Sequence, residues 1–63
     1  MDKATADAKL VEVQAAAEER GALWKRFYTG PLGITSKYGI FAVTQTDVVY
    51  RWNEVDGKFY LWG

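Results

Sequence analysis

The sequence predicts an α+β domain: one N-terminal helix packed on a three-stranded antiparallel β-meander. Three observations carry this reading. Residues 4–20 are an Ala-rich, charged run of good helix formers. All three Trp, all four Tyr and all three Phe lie after residue 23. Turn signals then divide residues 38–62 into three short segments of alternating polarity. One domain of 63 residues, running 1–63, is all that this length allows.

The helix comes first. Asp2 or Thr5 can cap its first turn. Successive residues placed 100° apart bring Ala6, Leu10, Val13, Ala17, Trp24, Phe27 and Tyr28 into one stripe. Because the stripe keeps phase across Gly21, the expectation is a helix over 4–28, bent or broken at that glycine. Thr29-Gly30-Pro31 ends it, since proline cannot continue a helix. Residues 30–37 (GPLGITSK) read as a loop. It is not a phosphate loop, because no Gly-Lys-Ser/Thr follows ahead of a helix.

Strands are expected at about 38–44, 47–54 and 58–62. Asp56-Gly57 is the strongest turn signal, and a two-residue turn there pairs Trp52 with Leu61 and Glu54 with Phe59. A two-residue turn at Gln45-Thr46 sets Val43 against Val48 and Phe41 against Tyr50. One face then collects Phe41, Val43, Val48, Tyr50, Trp52, Phe59 and Leu61 and takes the helix. The other collects Tyr38, Ile40, Arg51, Lys58, Tyr60 and Trp62, more apolar material than a solvated face needs, which marks a binding patch.

Composition excludes several function classes. With no Cys and no His, disulfides, thiolate chemistry and the usual zinc ligands are absent. A lone Ser36 has no His for a triad, and the carboxylates lack the spacing of a cation loop. The chain is therefore read as no enzyme, with no catalytic residue, metal or cofactor. Eight acids balance eight bases, so no global field favours nucleic acid or an anionic membrane. Residues 1–23 carry a net of minus two, however, and residues 24–63 a net of plus two. No apolar run approaches the roughly 20 residues of a membrane span, and no secretory pattern is visible, so a cytoplasmic protein is the default. No zinc-finger, SH3, helix-turn-helix or OB pattern is present. The small size and simple composition suit a bacteriophage or mobile-element protein.

The resulting expectation is a small protein-binding module: an inhibitor, adaptor or assembly component that also pairs with itself. Its partner-binding residues are Tyr38, Arg51, Lys58, Tyr60 and Trp62 on the sheet, and Leu10, Val13 and Ala17 on a projecting helix stripe. Both sheet edges are expected to be open and free of proline. The alternative is a single-stranded nucleic-acid binder that stacks bases on the same aromatic, basic face.

Overall fold

The computed structural model describes residues 1–21 and 23–62. Helix α1 spans Lys3–Glu19, and four strands follow: β1 (Trp24–Pro31), β2 (Tyr38–Thr44), β3 (Val49–Asn53) and β4 (Lys58–Leu61). They form one antiparallel sheet in the order β1-β2-β3-β4. The α+β class and the meander stand as read from the sequence, with a fourth strand added in front.

That strand corrects the helix over 4–28. Asp2 is the cap, its carboxylate accepting from the Thr5 N–H at 2.8 Å. The helix stops where Gly21 turns left-handed at φ +74° and donates to the Glu18 carbonyl at 3.0 Å. Glycine adopts this conformation without the Cβ clash that penalises other residues. The chain then pairs with β2 from Trp24 onward. The apolar stripe misleads here for a definite reason. The β1–β2 register shifts between Trp24 and Arg26. This bulge puts Trp24 and Phe27, three apart, on one sheet face, a spacing that also fits a helix. Pro31 closes β1, so the loop is shorter than 30–37 and the β1 edge does carry a proline.

Both hairpin registers differ from expectation. At the first, Thr44 N–H donates to the Val48 carbonyl (2.9 Å) and Asp47 N–H to the Thr44 carbonyl (3.0 Å), with Asp47 left-handed at φ 64°. The loop therefore has three central residues, 45–47, and a bulge residue that is Asp rather than Gly. Val43 faces Val49 and Phe41 faces Arg51. A one-residue slip moves a strand's side chains to the opposite face. Phe41 and Val43 thus leave the helix side, and Ile40 and Ala42 take their place. At the second hairpin the Asn53 Oδ1 accepts from the N–H groups of Val55 and Asp56, and its carbonyl from Gly57 N–H. Gly57 is also left-handed at φ +68°. This widens the turn to 54–57 and pairs Trp52 with Phe59 and Tyr50 with Leu61. A slip of two preserves the faces.

β2 is consequently buried on both sides: Ile40, Phe41, Ala42 and Val43 are all at 3% exposure or less. On the helix side, Ala6, Val13 and Ala17 of α1 close over the sheet. There the rings of Trp24 and Phe59 come to 4.9 Å, and those of Phe27 and Phe59 to 6.2 Å. In a flat sheet β1 and β4 would stand about 14 Å apart, three spacings of about 4.8 Å. Their rings meet because the sheet curls around them and Ala42 leaves room between. Tyr50 and Trp52 complete the cluster, at 5.6 Å from Trp24 and 5.3 Å from Phe59 respectively. The indole N–H groups of Trp24 and Trp52 are buried in it without an acceptor among the described residues. Across the layers, Asp7 ties α1 to β1, accepting from Thr29 Oγ1 at 2.7 Å and from Lys3 Nζ at 2.8 Å.

Two outcomes follow for stability. Asp47→Gly should match or exceed the parent in chemical denaturation, because relief of the left-handed strain offsets loss of the exposed Lys25–Asp47 pair at 2.7 Å. Asp47→Ala should lose about 1 kcal/mol. Equal stability of the two variants would contradict the bulged turn. In acid, Asp7 matters. Hydrogen bonds from Lys3, then Thr29, hold its carboxyl below the ordinary value of 3.8. A depressed folded-state value stabilises above the unfolded-state value and is lost as the pH falls through the folded one. Asp7→Asn should therefore be less stable than the parent at pH 7, with the gap closing below about pH 4.

Candidate interaction surface

The sheet face opposite α1 is where the observed register assembles a patch. Phe41, at its centre on β2, is covered by two rings. Tyr28 of β1 stacks on it with centroids 5.2 Å apart and planes 19° apart. Trp62, one residue past β4, meets it edge-on at 5.2 Å. Each outer ring carries a guanidinium: Arg26 lies 4.9 Å from the Tyr28 ring centroid and Arg51 lies 5.7 Å from that of Trp62. The result is a continuous row, Arg26–Tyr28–Phe41–Trp62–Arg51. The row exists because of the slip at Asp47, which sends Phe41 to this side, and because of the β1–β2 register, which sets Tyr28 opposite Phe41 and Arg26 opposite Val43.

Charge is segregated on this side. The strand positions sharing the face include Arg26, Arg51 and Lys58 and no Asp or Glu. Five of the eight acids sit at residues 2–19, in α1 and its cap. Asp47 lies in a turn, bound by Lys25. Asp56 accepts from the Tyr60 hydroxyl, and this bond, with burial, holds the Tyr60 phenol above its usual value of 10.0. Tyr60 is therefore a neutral donor at physiological pH.

Beside the row the sheet splits. β2 and β3 pair only over 41–43 and 49–51, although β2 begins at Tyr38 and β3 runs to Asn53. The gap between them is a cleft of about 500 Å³, lined by Tyr38, Arg51, Trp52, Glu54, Tyr60 and Trp62 among others. On its β2 wall the Tyr38 N–H donates to the Met1 carbonyl, and the terminal ammonium of Met1 reaches the Tyr38 carbonyl at 3.5 Å. A second, smaller space of about 150 Å³ lies between α1 and the sheet, bounded by Val13, Ala17, Trp24, Trp52 and Phe59.

The expected partner-binding residues divide accordingly. Arg51, Lys58, Tyr60 and Trp62 share the open face. Tyr38 does not, since it alternates with Ile40 and Ala42 toward the helix side; it joins Arg51, Tyr60 and Trp62 only in the cleft. Leu10 is half-buried, and Val13 and Ala17 are buried at 3% and 6% exposure. The projecting helix stripe is thus corrected: α1 ends at Glu19 and spends its apolar side on its own sheet. Sequence reasoning missed Arg26, Tyr28 and Phe41. The run Trp24-Lys25-Arg26-Phe27-Tyr28 held the signal, being rich in strand-forming aromatics just past a glycine suited to end a helix.

Compared with protein-family models, with curated proteins and with solved structures, the chain matches none. Among the described residues no group of three acidic side chains is placed to hold a metal ion, and no helix is long and apolar enough to cross a membrane.

The row predicts a graded mutational response. Trp62 is 45% exposed, so Trp62→Ala should cost about 1 kcal/mol, roughly half of a fully buried large side chain. Trp24→Ala, which empties the centre of the ring cluster, should cost about 3–5 kcal/mol. Thermal melts of the two variants read the difference, and equal losses would contradict the division into an inner cluster and an outer patch.

Proposed function

We propose that this chain is a non-enzymatic protein-binding module that docks a partner on the open sheet face, as an inhibitor, adaptor or assembly component. The observation that carries this reading is the Arg26–Tyr28–Phe41–Trp62–Arg51 row on a face free of acidic strand residues. Aromatic rings and Arg dominate binding hot spots, since they bury large area and still offer directed donors. Here the rings are held by each other and the guanidinium groups rest on them, so little side-chain freedom remains to be lost on docking. The fitting partner surface is apolar at its centre and acidic at its rim, where it meets Arg26, Arg51 and Lys58. The carboxylates support a binding rather than a catalytic role: Asp2, Asp7 and Asp47 are each engaged in a cap, an interlayer tie or a turn.

One observation favours a second reading, a single-stranded nucleic-acid binder: the same lack of acidic strand residues on the face that carries three cations and the exposed Tyr60 and Trp62. It is the weaker one. Phe41, at the centre, is 3% exposed and offers no base a stacking surface, and the formal charge of the chain is zero. Salt separates the two. Titration of a labelled mixed-sequence oligonucleotide should give no saturable binding at low salt. Micromolar binding that weakens steeply with salt, through counterion release, and vanishes in Trp62→Ala would favour nucleic acid instead. For the protein reading, a partner retained by the parent chain should be lost on Arg26→Ala/Arg51→Ala, a variant whose thermal melt stays close to that of the parent.

A further inference from the structure

The two edges of the sheet are built differently. The β1 edge is blunted by the usual devices: a bulge between Trp24 and Arg26, exposed Lys25 and Arg26, and Pro31 at its end. The β4 edge has neither bulge nor proline. Its residues Tyr60 and Leu61, with Trp62 just beyond, are exposed at 48%, 67% and 45%.

The backbone of β4 is also self-complementary. Trp62 N–H donates to the Val49 carbonyl at 2.9 Å, in the same register that pairs Tyr50 with Leu61 and Arg51 with Tyr60. Hydrogen-bonding residues alternate along an antiparallel strand. Lys58, Tyr60 and Trp62 therefore turn their backbone groups toward β3, and Phe59 and Leu61 turn theirs outward. Those are the edge groups left open.

We infer that two copies of this chain pair antiparallel through β4, with the two-fold axis at Tyr60, to make one eight-stranded sheet. In this register Phe59 exchanges both backbone hydrogen bonds with Leu61 of the partner subunit, and Leu61 with the partner's Phe59. All four open groups of each edge are satisfied. On the helix side Leu61 lies beside the partner's Phe59, which covers its exposed side chain. On the other side Tyr60 meets the partner's Tyr60 as a close, non-hydrogen-bonded pair. Lys58, the one charged residue of β4, falls opposite the partner's Trp62, where an ammonium and an indole attract. No like charges are set against each other. The two aromatic–arginine rows become one face that crosses the axis, so each copy completes the other's surface. This pairing is independent of what docks on that face.

Sedimentation equilibrium on the full chain, from a few to hundreds of micromolar, tests it together with amide exchange at low and high concentration. The mass should rise toward twice 7.1 kDa, and exchange at Phe59 and Leu61 should slow as the mass rises. Leu61→Pro removes one outward N–H that the protomer's own ladder does not use, and it should leave the melt nearly intact while restoring the monomer mass. Should that variant fail to fold, Leu61→Glu, which sets a carboxylate against the face of the partner's Phe59, should weaken pairing at least tenfold. A monomer at every concentration would overturn the inference. So would a dimer in which exchange at Phe59 and Leu61 does not respond to concentration, or one that survives in both variants.

Discussion

Everything in this fold depends on β2 being covered on both faces. A chain of 63 residues with no Cys or His lacks disulfides and the usual zinc ligands, and domains of this size carry small cores. The solution here is to use one strand twice. Ile40 and Ala42 face the helix and Phe41 and Val43 face away, and all four are buried. The inner side is closed by α1 and a curled cluster of five rings. Among the described residues no second helix covers the outer side, which is closed by Tyr28 and Trp62 laid over Phe41.

This arrangement explains why stability and recognition share residues. The outer rings shield the back of β2, yet they remain partly exposed and carry the guanidinium groups of Arg26 and Arg51. An aromatic layer one ring thick cannot be fully buried by the chain itself. It is a cover for the core and a surface for a partner at once. Charge follows the same division, with five of the eight acids in the helix and its cap and Arg26, Arg51 and Lys58 on the open face.

Much of the fold was legible in the sequence. The helix start at Asp2, the separation of helix from sheet and the positions of β2, β3 and β4 follow from composition, caps and turn residues. The parity of β3 against β4 also follows, since widening the Asp56-Gly57 turn shifted the register by two. Two features were hidden, both for local backbone reasons. The bulge in β1 gave Trp24 and Phe27 a spacing that helices also use, so a strand read as helix. A left-handed Asp47, where glycine would have announced itself, added one residue to the first turn and exchanged the faces of β2. The candidate surface suffered most from this. The alternation of residues 51–62 brings Arg51, Lys58, Tyr60 and Trp62 together on the open face, whereas helical spacing hides Tyr28, the undetected slip hides Phe41, and the helix stripe imitates a surface.

The outer row and the inner cluster both depend on the face to which Phe41 points, and ring-to-ring nuclear Overhauser effects test that placement most directly. Cross-peaks are expected from the Phe41 ring to Tyr28 and Trp62, and from Phe59 to Trp24, Phe27 and Trp52, with none between Phe41 and Phe59. Cross-peaks joining Phe41 to Phe59 or Trp52 would contradict it, because they would place Phe41 under the helix and dissolve the outer row.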